Sequence, residues 1–184
     1  MDGLLLERLP GLPAQLRIAI GKQHALVVAD AAVARYAADL ITGLEDPPAD
    51  VVVKADGPVR LVPAEGGLLP HLTVLGNVVH GHTVTHRVTR QAAEYESRMT
   101  AGLCGLDDVL DRYPHEITPG RRRMAGVARA LRADRPVIVL EDAAGLPTWG
   151  SLLQYGHNPS LKFAALLLIT TDIARTKDFV HAVD

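Results

Sequence analysis

Two adjacent carboxylates, Glu141 and Asp142, directly follow a continuous apolar run at residues 136–140. Such a run is typical of a strand that is buried on both faces of a parallel sheet. Functional carboxylates of α/β proteins commonly lie at the end of such a strand, where they can bind Mg²⁺. Because Mg²⁺ is usually held jointly by carboxylates and substrate phosphates, this pair needs a phosphate-binding element elsewhere in the chain.

The best candidate for that element is residues 25–44, which read ALVVADAAVARYAADLITGL. This stretch predicts a short strand at 25–28, a tight connection and a helix that closes on Gly43. Backbone N–H groups and the helix dipole meet at such a connection, where phosphate commonly binds. A phosphate-binding loop has the form G-x-x-x-x-G-K-[ST]. Here the glycines are absent, and Ala34 and Arg35 stand in place of the lysine and the hydroxyl.

Asp30 stands at the connection, directly before the expected helix start at Ala31 or Ala32. As an N-cap it would accept a hydrogen bond from a backbone N–H two or three residues further on. Its carboxylate could at the same time occupy the position at the helix terminus where an anion binds. Tyr36, within the helix, either fills space that a nucleotide would use or packs in the core, and we expect core packing.

Three histidines, His80, His82 and His86, form the pattern H-x-H-x-x-x-H. If the segment is helical, His82 and His86 share one face, and neutral imidazoles at this spacing can bind zinc or nickel. No cysteine lies nearby, and the first acidic residue after His80 is Glu94, which weakens the case for a metal. A metal-binding module is therefore kept only as an alternative.

A basic run follows a helix start at Thr118 and Pro119. Threonine as N-cap and proline at the first helical position explain the start without any ligand. Arg121, Arg122 and Arg123 then place three cations in the first turn, where the helix dipole disfavours them. An anion or an acidic partner would offset this cost, but we expect a solvated basic turn.

The elements that position these residues alternate between strands and helices. We expect strands at 4–7, 15–20, 25–28, 51–54, 59–62, 136–140, 165–170 and 178–183, helices at 73–80, 90–104, 106–112 and 119–131, and a helix after 140 that is broken by Gly156 and Pro159. At least three strands read as buried on both faces, which favours a mainly parallel α/β sheet. The long helical middle predicts one domain over 1–184, with a core sheet at about 1–71 and 132–184 and an inserted helical subdomain at about 72–131.

The composition is that of an ordinary globular domain. Of 184 residues 48% are hydrophobic, and the net charge of −2 gives no case for nucleic acid as a partner. The single Cys104 excludes an internal disulfide, fits a reducing cytoplasm and reads as a small buried hydrophobe. No apolar run is long enough to span a bilayer, and the first residues lack the features of a signal peptide. We expect a cytoplasmic protein, peripheral to a membrane only through a partner.

Five segments, in order, resemble the ATP-binding cassette (ABC) ATPase family over nearly the whole chain. The most specific is YPHEITPG followed by RRRMAGVARAL at 113–131, which is similar to the family signature YPHELSGGQ-QR-ALARAL and its helix. LLPHLTVLGNV at 68–78 resembles the segment after the glutamine loop, and RPVIVLED at 135–142 resembles the Walker B strand. LITTD at 168–172 resembles the switch-histidine strand, and 25–44 matches the Walker A strand and helix in length.

The resemblance implies a sheet of the P-loop NTPase type with an N-terminal antiparallel β subdomain and an inserted helical subdomain. The departures all fall on positions that handle ATP in the family. They are Ala34 for the lysine, Arg35 beside Tyr36 for the Mg²⁺-binding hydroxyl, Ala64 and Glu65 at the glutamine loop, Glu141 and Asp142 in swapped order, Thr171 for the switch histidine, and Thr148 near the D-loop aspartate. No aromatic residue in the N-terminal strands could stack on adenine.

Without the lysine, the metal hydroxyl and the general base, phosphoryl transfer loses most of its positioning and charge stabilisation. Several such losses together should leave no useful rate. The resemblance therefore implies a pseudo-ATPase with no required cofactor and with Mg-ATP disfavoured, acting as a non-catalytic or regulatory subunit of an ABC-type transporter or a similar complex. An ATP-binding subunit with weak or partner-completed activity stays open as an alternative, as does the histidine metal module.

The resemblance also indicates where partners would bind. In the family, the groove near 66–77 receives the coupling helix of a membrane permease, and the leucines at 68, 69, 72 and 75 could dock such a helix. Thr118, Gly120 and Arg121 could act in trans on ATP that is held by an intact ABC ATPase subunit, although Pro119 removes one N–H donor. A homodimer is a further arrangement that the family uses.

Overall fold

The computed structural model describes residues 3–9, 15–85, 89–132, 136–154 and 158–181. Its strands in chain order are β1 (Gly3–Glu7), β2 (Gln15–Ala19), β3 (Gln23–Val27), β4 (Val52–Ala55), β5 (Val59–Val62), β6 (Val137–Glu141), β7 (Ala165–Thr170) and β8 (Val180–His181). Five of them form one parallel sheet in the order β5–β6–β7–β3–β8. Their carboxyl ends therefore meet at one edge, and the predicted parallel α/β sheet is confirmed.

The remaining strands form a small antiparallel sheet in the order β2–β1–β4. Leu4 and Leu6 on β1 and Ile18 on β2 are fully buried and share a core with the parallel sheet. The predicted N-terminal antiparallel β subdomain is confirmed, and its third strand comes from the segment that follows the first helix.

The central strands β6 and β7 alternate between two cores, which explains their uninterrupted apolar sequence. Ile138 and Leu140 face the core beneath the helices that precede β6, whereas Val137 and Val139 face the core shared with the antiparallel sheet. The five residues at 136–140, directly before Glu141, are all buried. In β3 only Ala25 and Leu26 are buried and Val27 is partly exposed, so the prediction of burial on both faces holds least well there.

The helices are α1 (Ala31–Thr42), α2 (Val74–Thr85), α3 (Arg90–Leu103), α4 (Pro119–Ala130) and the short α5 (Trp149–Leu153), with 3₁₀ turns at Asp107–Val109, Pro114–Glu116, Pro159–Phe163 and Ile173–Thr176. Helix α2 packs against both α3 and α4. These three helices follow one another between β5 and β6, where the helical insertion is predicted. The division into a core and a helical subdomain stays a prediction. None of the described helices has the length and apolar character needed to cross a membrane.

The start of α2 is fixed by the fully buried Asn77. Its Oδ1 accepts a hydrogen bond from Leu69 N at 2.7 Å, and its Nδ2 donates to the carbonyl oxygens of Leu69, Leu72 and Thr73 at 3.0–3.2 Å. One amide side chain therefore provides the hydrogen-bond partners of four backbone groups at 69–73. This contact positions the loop that leads from the carboxyl edge of the sheet into the helices.

The predicted helix at 106–112 is wrong, because only a 3₁₀ turn forms there. Leu110 O and Arg112 O accept hydrogen bonds from Leu75 N and Val74 N at 2.9 and 2.8 Å, so these carbonyls satisfy the open N-terminus of α2. The predicted helix after residue 140 is limited to α5 and the Pro159–Phe163 turn, and Gly156 lies outside the described residues. Helix α2 runs about a turn beyond the predicted end at His80.

Cys104 is buried, as predicted for a small apolar residue. Burial raises the pKa of its thiol to about 11, so the sulfur stays protonated at neutral pH. Asn158 Nδ2 lies 3.8 Å from the sulfur.

Candidate functional site

An open cleft of about 390 Å³ lies at the carboxyl edge of the parallel sheet. Its walls come from the first turns of α1, the segment after β5, and the ends of β6 and β7. The cleft brings together six positions that the sequence marked: Ala34, Arg35, Ala64, Glu141, Asp142 and Thr171. Small alanine side chains form much of the remaining wall. The polar chemistry of the cleft therefore depends on one arginine, two carboxylates and two threonines.

Asp30 caps the helix that opens onto this cleft. It adopts an extended backbone, and its Oδ1 accepts hydrogen bonds from Ala32 N and Val33 N, both at 2.9 Å. The helix ends on Gly43 in the left-handed conformation, with φ of 73°. The predicted N-cap is confirmed, and the N–H groups that an anion would use already bind a negative side chain.

Arg35 bridges α1 and β6 at the mouth of the cleft. Its Nε donates to Asp39 Oδ2 at 3.0 Å, and its Nη1 donates to Glu141 Oε1 at 3.5 Å. The hydrogen bond to Asp39, followed by the charges of Asp39 and Glu141, raises the pKa of the guanidinium above its usual value. Arg35 therefore pairs with one of the two carboxylates that could hold a metal.

The side chain of Asp142 is only 3% exposed. Arg175 contacts both carboxylate oxygens, through Nε to Oδ2 and through Nη2 to Oδ1, the latter at 2.9 Å. Thr170 Oγ1 donates to Oδ2 at 3.0 Å, and Arg123 Nη2 donates to Oδ1 at 3.3 Å. Burial raises the pKa of Asp142, but the hydrogen bonds from Arg175 and Thr170 outweigh burial and hold the pKa below its ordinary value.

Known proteins resemble this chain over part of its sequence. No family model matches the chain. The thiamine import ATP-binding protein ThiQ of Histophilus somni is 26% identical over 138 residues, which cover 69% of this chain and 64% of that protein. ThiQ of Haemophilus influenzae is 31% identical over 85 residues, covering 46% of this chain and 39% of that protein. The chain thus matches less than two thirds of the length of these relatives.

Two solved structures superpose over almost the whole chain. One is cbiO1 from Clostridium perfringens, part of the ABC transporter complex cbiONQ, with a TM-score of 0.74 at 16% identity, covering 94% of this chain and 80% of that chain. The other is a dimeric ATP-binding cassette in a post-hydrolysis state with ADP and Pi, with a TM-score of 0.70 at 16% identity, covering 94% and 89%. The chain has the ABC ATPase fold.

Within this ABC fold, the signature-like segment begins α4 as predicted. Thr118 Oγ1 accepts a hydrogen bond from Arg121 N at 3.4 Å, and Pro119 occupies the first turn. Gly120 is half-buried beside Leu152 and Pro147. The prediction of a solvated basic turn is wrong, because each of the three arginines that follow has a partner within the chain.

The partners of these arginines differ. Arg121 pairs with Asp108 at 3.1 Å, and Arg122 contacts Glu65 at 3.4 Å as well as two backbone carbonyls. Arg123 is completely buried: it donates to Asp142, Glu141 O and Pro147 O, and its guanidinium stacks 3.9 Å from the centroid of Trp149. The only sign of this in the sequence was a run of cations that the helix dipole disfavours.

Three further predicted positions, Glu65, Tyr36 and Thr148, do not line the cleft. Glu65 points toward Arg122 on α4, and its side chain is 69% exposed. The loop that carries it approaches α4 closely, because a Cβ at Gly66 would lie 2.2 Å from Arg122 O. Tyr36 is half-buried against the core shared with the antiparallel sheet, as expected for core packing. Thr148, near the predicted D-loop position, caps α5.

A second concave surface, the α2/α3 groove, has a volume of about 420 Å³. Leu72, Leu75 and Val79 contribute its apolar floor, and its polar groups are Thr73, His80, Thr83, Arg90, Glu94, Arg98 and Asp111. Of the four leucines predicted to dock a helix, Leu75 is buried and Leu68 packs against the core beneath the helices. Leu72 lines the groove, and Leu69 is half-buried but does not line it.

The histidines do not form a cluster in the part of the chain that the structure describes. His80 is exposed beside the α2/α3 groove, whereas His82 is buried, and its Nδ1 accepts a hydrogen bond from Arg132 Nε at 2.7 Å. His86 lies outside the described residues. Among those residues, no group of three His, Cys, Asp or Glu side chains could hold a metal ion.

Proposed function

We propose that this chain is a non-hydrolysing member of the ABC ATPase family that serves as a partner-binding subunit of an ABC-type transporter. The observation that carries the proposal is the state of the charged groups at the cleft. Asp30 caps α1, Arg35 pairs with Glu141, and Asp142 binds two arginines. Each of these charged groups already has a partner among the described residues.

Mg-ATP does not fit the groups present at this edge. The Asp30 carboxylate lies at the N-terminus of α1, where it would repel a phosphate instead of neutralising it. The lysine position is Ala34, whose methyl group is neither a cation nor a donor to phosphate, and the neighbouring cation Arg35 is paired with Asp39 and Glu141. A metal would have to displace Arg35 from Glu141 or Arg175 from Asp142. We therefore assign no step of ATP chemistry to these residues.

Titration of the chain with Mg-ATP by calorimetry tests the proposal. We expect no binding tighter than about 100 μM, which corresponds to roughly −5.5 kcal/mol. The matched variant is Asp30→Gly combined with Ala34→Lys, which removes the capping carboxylate and adds a cation at the lysine position. A gain of affinity in this variant alone would identify the missing groups as the cause. Binding below 100 μM by the unaltered chain would refute the proposal.

The α2/α3 groove is the proposed docking surface. Its floor is apolar, and its rim carries both signs of charge, with Arg90 and Arg98 against Glu94 and Asp111. Such a surface suits a short amphipathic helix that buries an apolar face and presents acidic and basic residues at its margins. The solved relative cbiO1 is part of a transporter complex, which supports a membrane permease as the partner.

Binding to inverted membrane vesicles from the source cells tests this surface. We expect the chain to sediment with these vesicles but not with protein-free liposomes of the same lipids, and Leu72→Glu with Val79→Glu to abolish sedimentation. Leu44→Glu is the matched control, since Leu44 is an exposed apolar residue that lies after α1, outside the groove. Equal binding by both variants would exclude the groove as the docking surface.

A second candidate is an ATP-binding subunit whose activity an intact partner completes. It is favoured by the similarity to thiamine import ATP-binding proteins and by the exposed Thr118 at the start of α4. Steady hydrolysis by a mixture with the intact partner, reduced by Thr118→Ala while ATP binding by the partner is unchanged, would establish this function.

A further inference from the structure

The carboxylate of Asp142 is bound on every side by the protein. Its oxygens accept four hydrogen bonds from three residues, two from Arg175 and one each from Thr170 and Arg123. A buried carboxylate with no counter-charge would cost several kcal/mol, so these partners are what allow it to stay ionised.

Arg175 donates to three oxygen atoms that converge on its guanidinium. Two belong to Asp142, and the third is Leu146 O at 2.9 Å, which accepts from Nη2. A carboxylate together with a backbone carbonyl is the kind of oxygen set that a divalent cation takes in proteins. Here a planar guanidinium, which matches carboxylate geometry with two parallel donors, supplies the positive charge.

Arg123 repeats this pattern from the other side. It donates to Asp142 Oδ1 and to Pro147 O, and it stacks on Trp149, the first residue of α5. Trp149 Nε1 in turn donates to Glu141 O at 2.8 Å. The two arginines therefore tie one carboxylate to two successive carbonyls of the turn between β6 and α5, and Arg123 extends the connection to α4.

We propose that Arg175 is a protein-borne cation that takes the place of a metal at the end of β6 and orders the turn at 143–148, which Arg123 joins to α4. The arrangement needs no ligand, because both charges belong to the chain. It goes beyond the proposed function, since it would hold whether or not the chain binds nucleotide or a permease. Its consequence is a cleft edge that is fixed in the unliganded protein.

Chemical rescue of Arg175→Ala tests the proposal. We expect this variant to lose about 5 °C or more in Tm and to exchange the amides of 146–149 faster. Methylguanidinium at about 10 mM, well below denaturing levels, should restore much of the Tm by mass action. Methylurea, a neutral molecule of the same shape, should not. Arg35→Ala is the matched arginine control, because Arg35 is mostly exposed.

A second background keeps the test decisive if Arg175→Ala is poorly folded. In Asp142→Asn the cation has lost its carboxylate, so adding Arg175→Ala should lower Tm less than it does in the unaltered chain. Equal rescue by both additives, rescue by neither, or an unchanged Tm in Arg175→Ala would overturn the proposal. None of these outcomes depends on nucleotide, so they are distinct from a failure of the ATP titration.

Discussion

The two carboxylates that end β6 are neighbours in sequence but lie in opposite environments. Glu141 faces the open cleft and has one long contact with Arg35, whose side chain is 60% exposed. Asp142 borders the same cleft, but its carboxylate is covered by two arginines and a threonine and its side chain is only 3% exposed. Two neighbouring acids at the edge of one ABC fold therefore have different roles. Glu141 lies at the open cleft, whereas Asp142 is a structural anchor, a carboxylate that holds Arg123 and Arg175.

The largest loss of stability is expected when Asp142 is changed. Asp142→Asn removes the charge that compensates Arg123 and Arg175, and breaking a buried pair typically costs about 3–5 kcal/mol. For a chain of this length that corresponds to a fall in Tm of about 10 °C. Urea and thermal unfolding of the two proteins measure the difference. A loss no greater than that of a surface substitution would show that Asp142 is not an anchor.

The contribution of Asp142 to the free energy of unfolding should also depend on pH in a defined direction. The pKa of Asp142 is held below its ordinary value, so its contribution to stability is present above the unfolded carboxyl pKa of about 3.9 and is lost as pH falls through the lower folded value. The stability gap between the unaltered chain and Asp142→Asn should be constant from pH 7 to 5 and narrow below about pH 4. Urea unfolding at each pH measures this gap. A gap as large at pH 3 as at pH 7 would contradict the assignment.

Local signals in the sequence predicted much of this edge. The Asp30 cap, the closing Gly43 and the strand at 59–62 depend on residues close together in the chain, and the structure has each of them. The anchor could not be predicted, because Asp142 binds residues 19 and 33 positions away that no spacing rule connects. The prediction of a helix at 106–112 was wrong for the same reason. Carbonyl oxygens of this segment accept hydrogen bonds from the first residues of α2, and this tertiary contact overrides local helix propensity.

The smallest effect is expected on the cleft side. Glu141→Gln removes one end of a 3.5 Å contact to an exposed arginine, and such surface pairs contribute little. The structural role of residue 141 lies in its backbone carbonyl, which accepts from Trp149 and Arg123 and is unchanged by the substitution. Tm should therefore move by no more than about 1 °C, and Arg35→Ala should behave in the same way. If Glu141→Gln instead lost as much as Asp142→Asn, the cleft-side pair would also be an anchor, and the contrast between the two acids would fail.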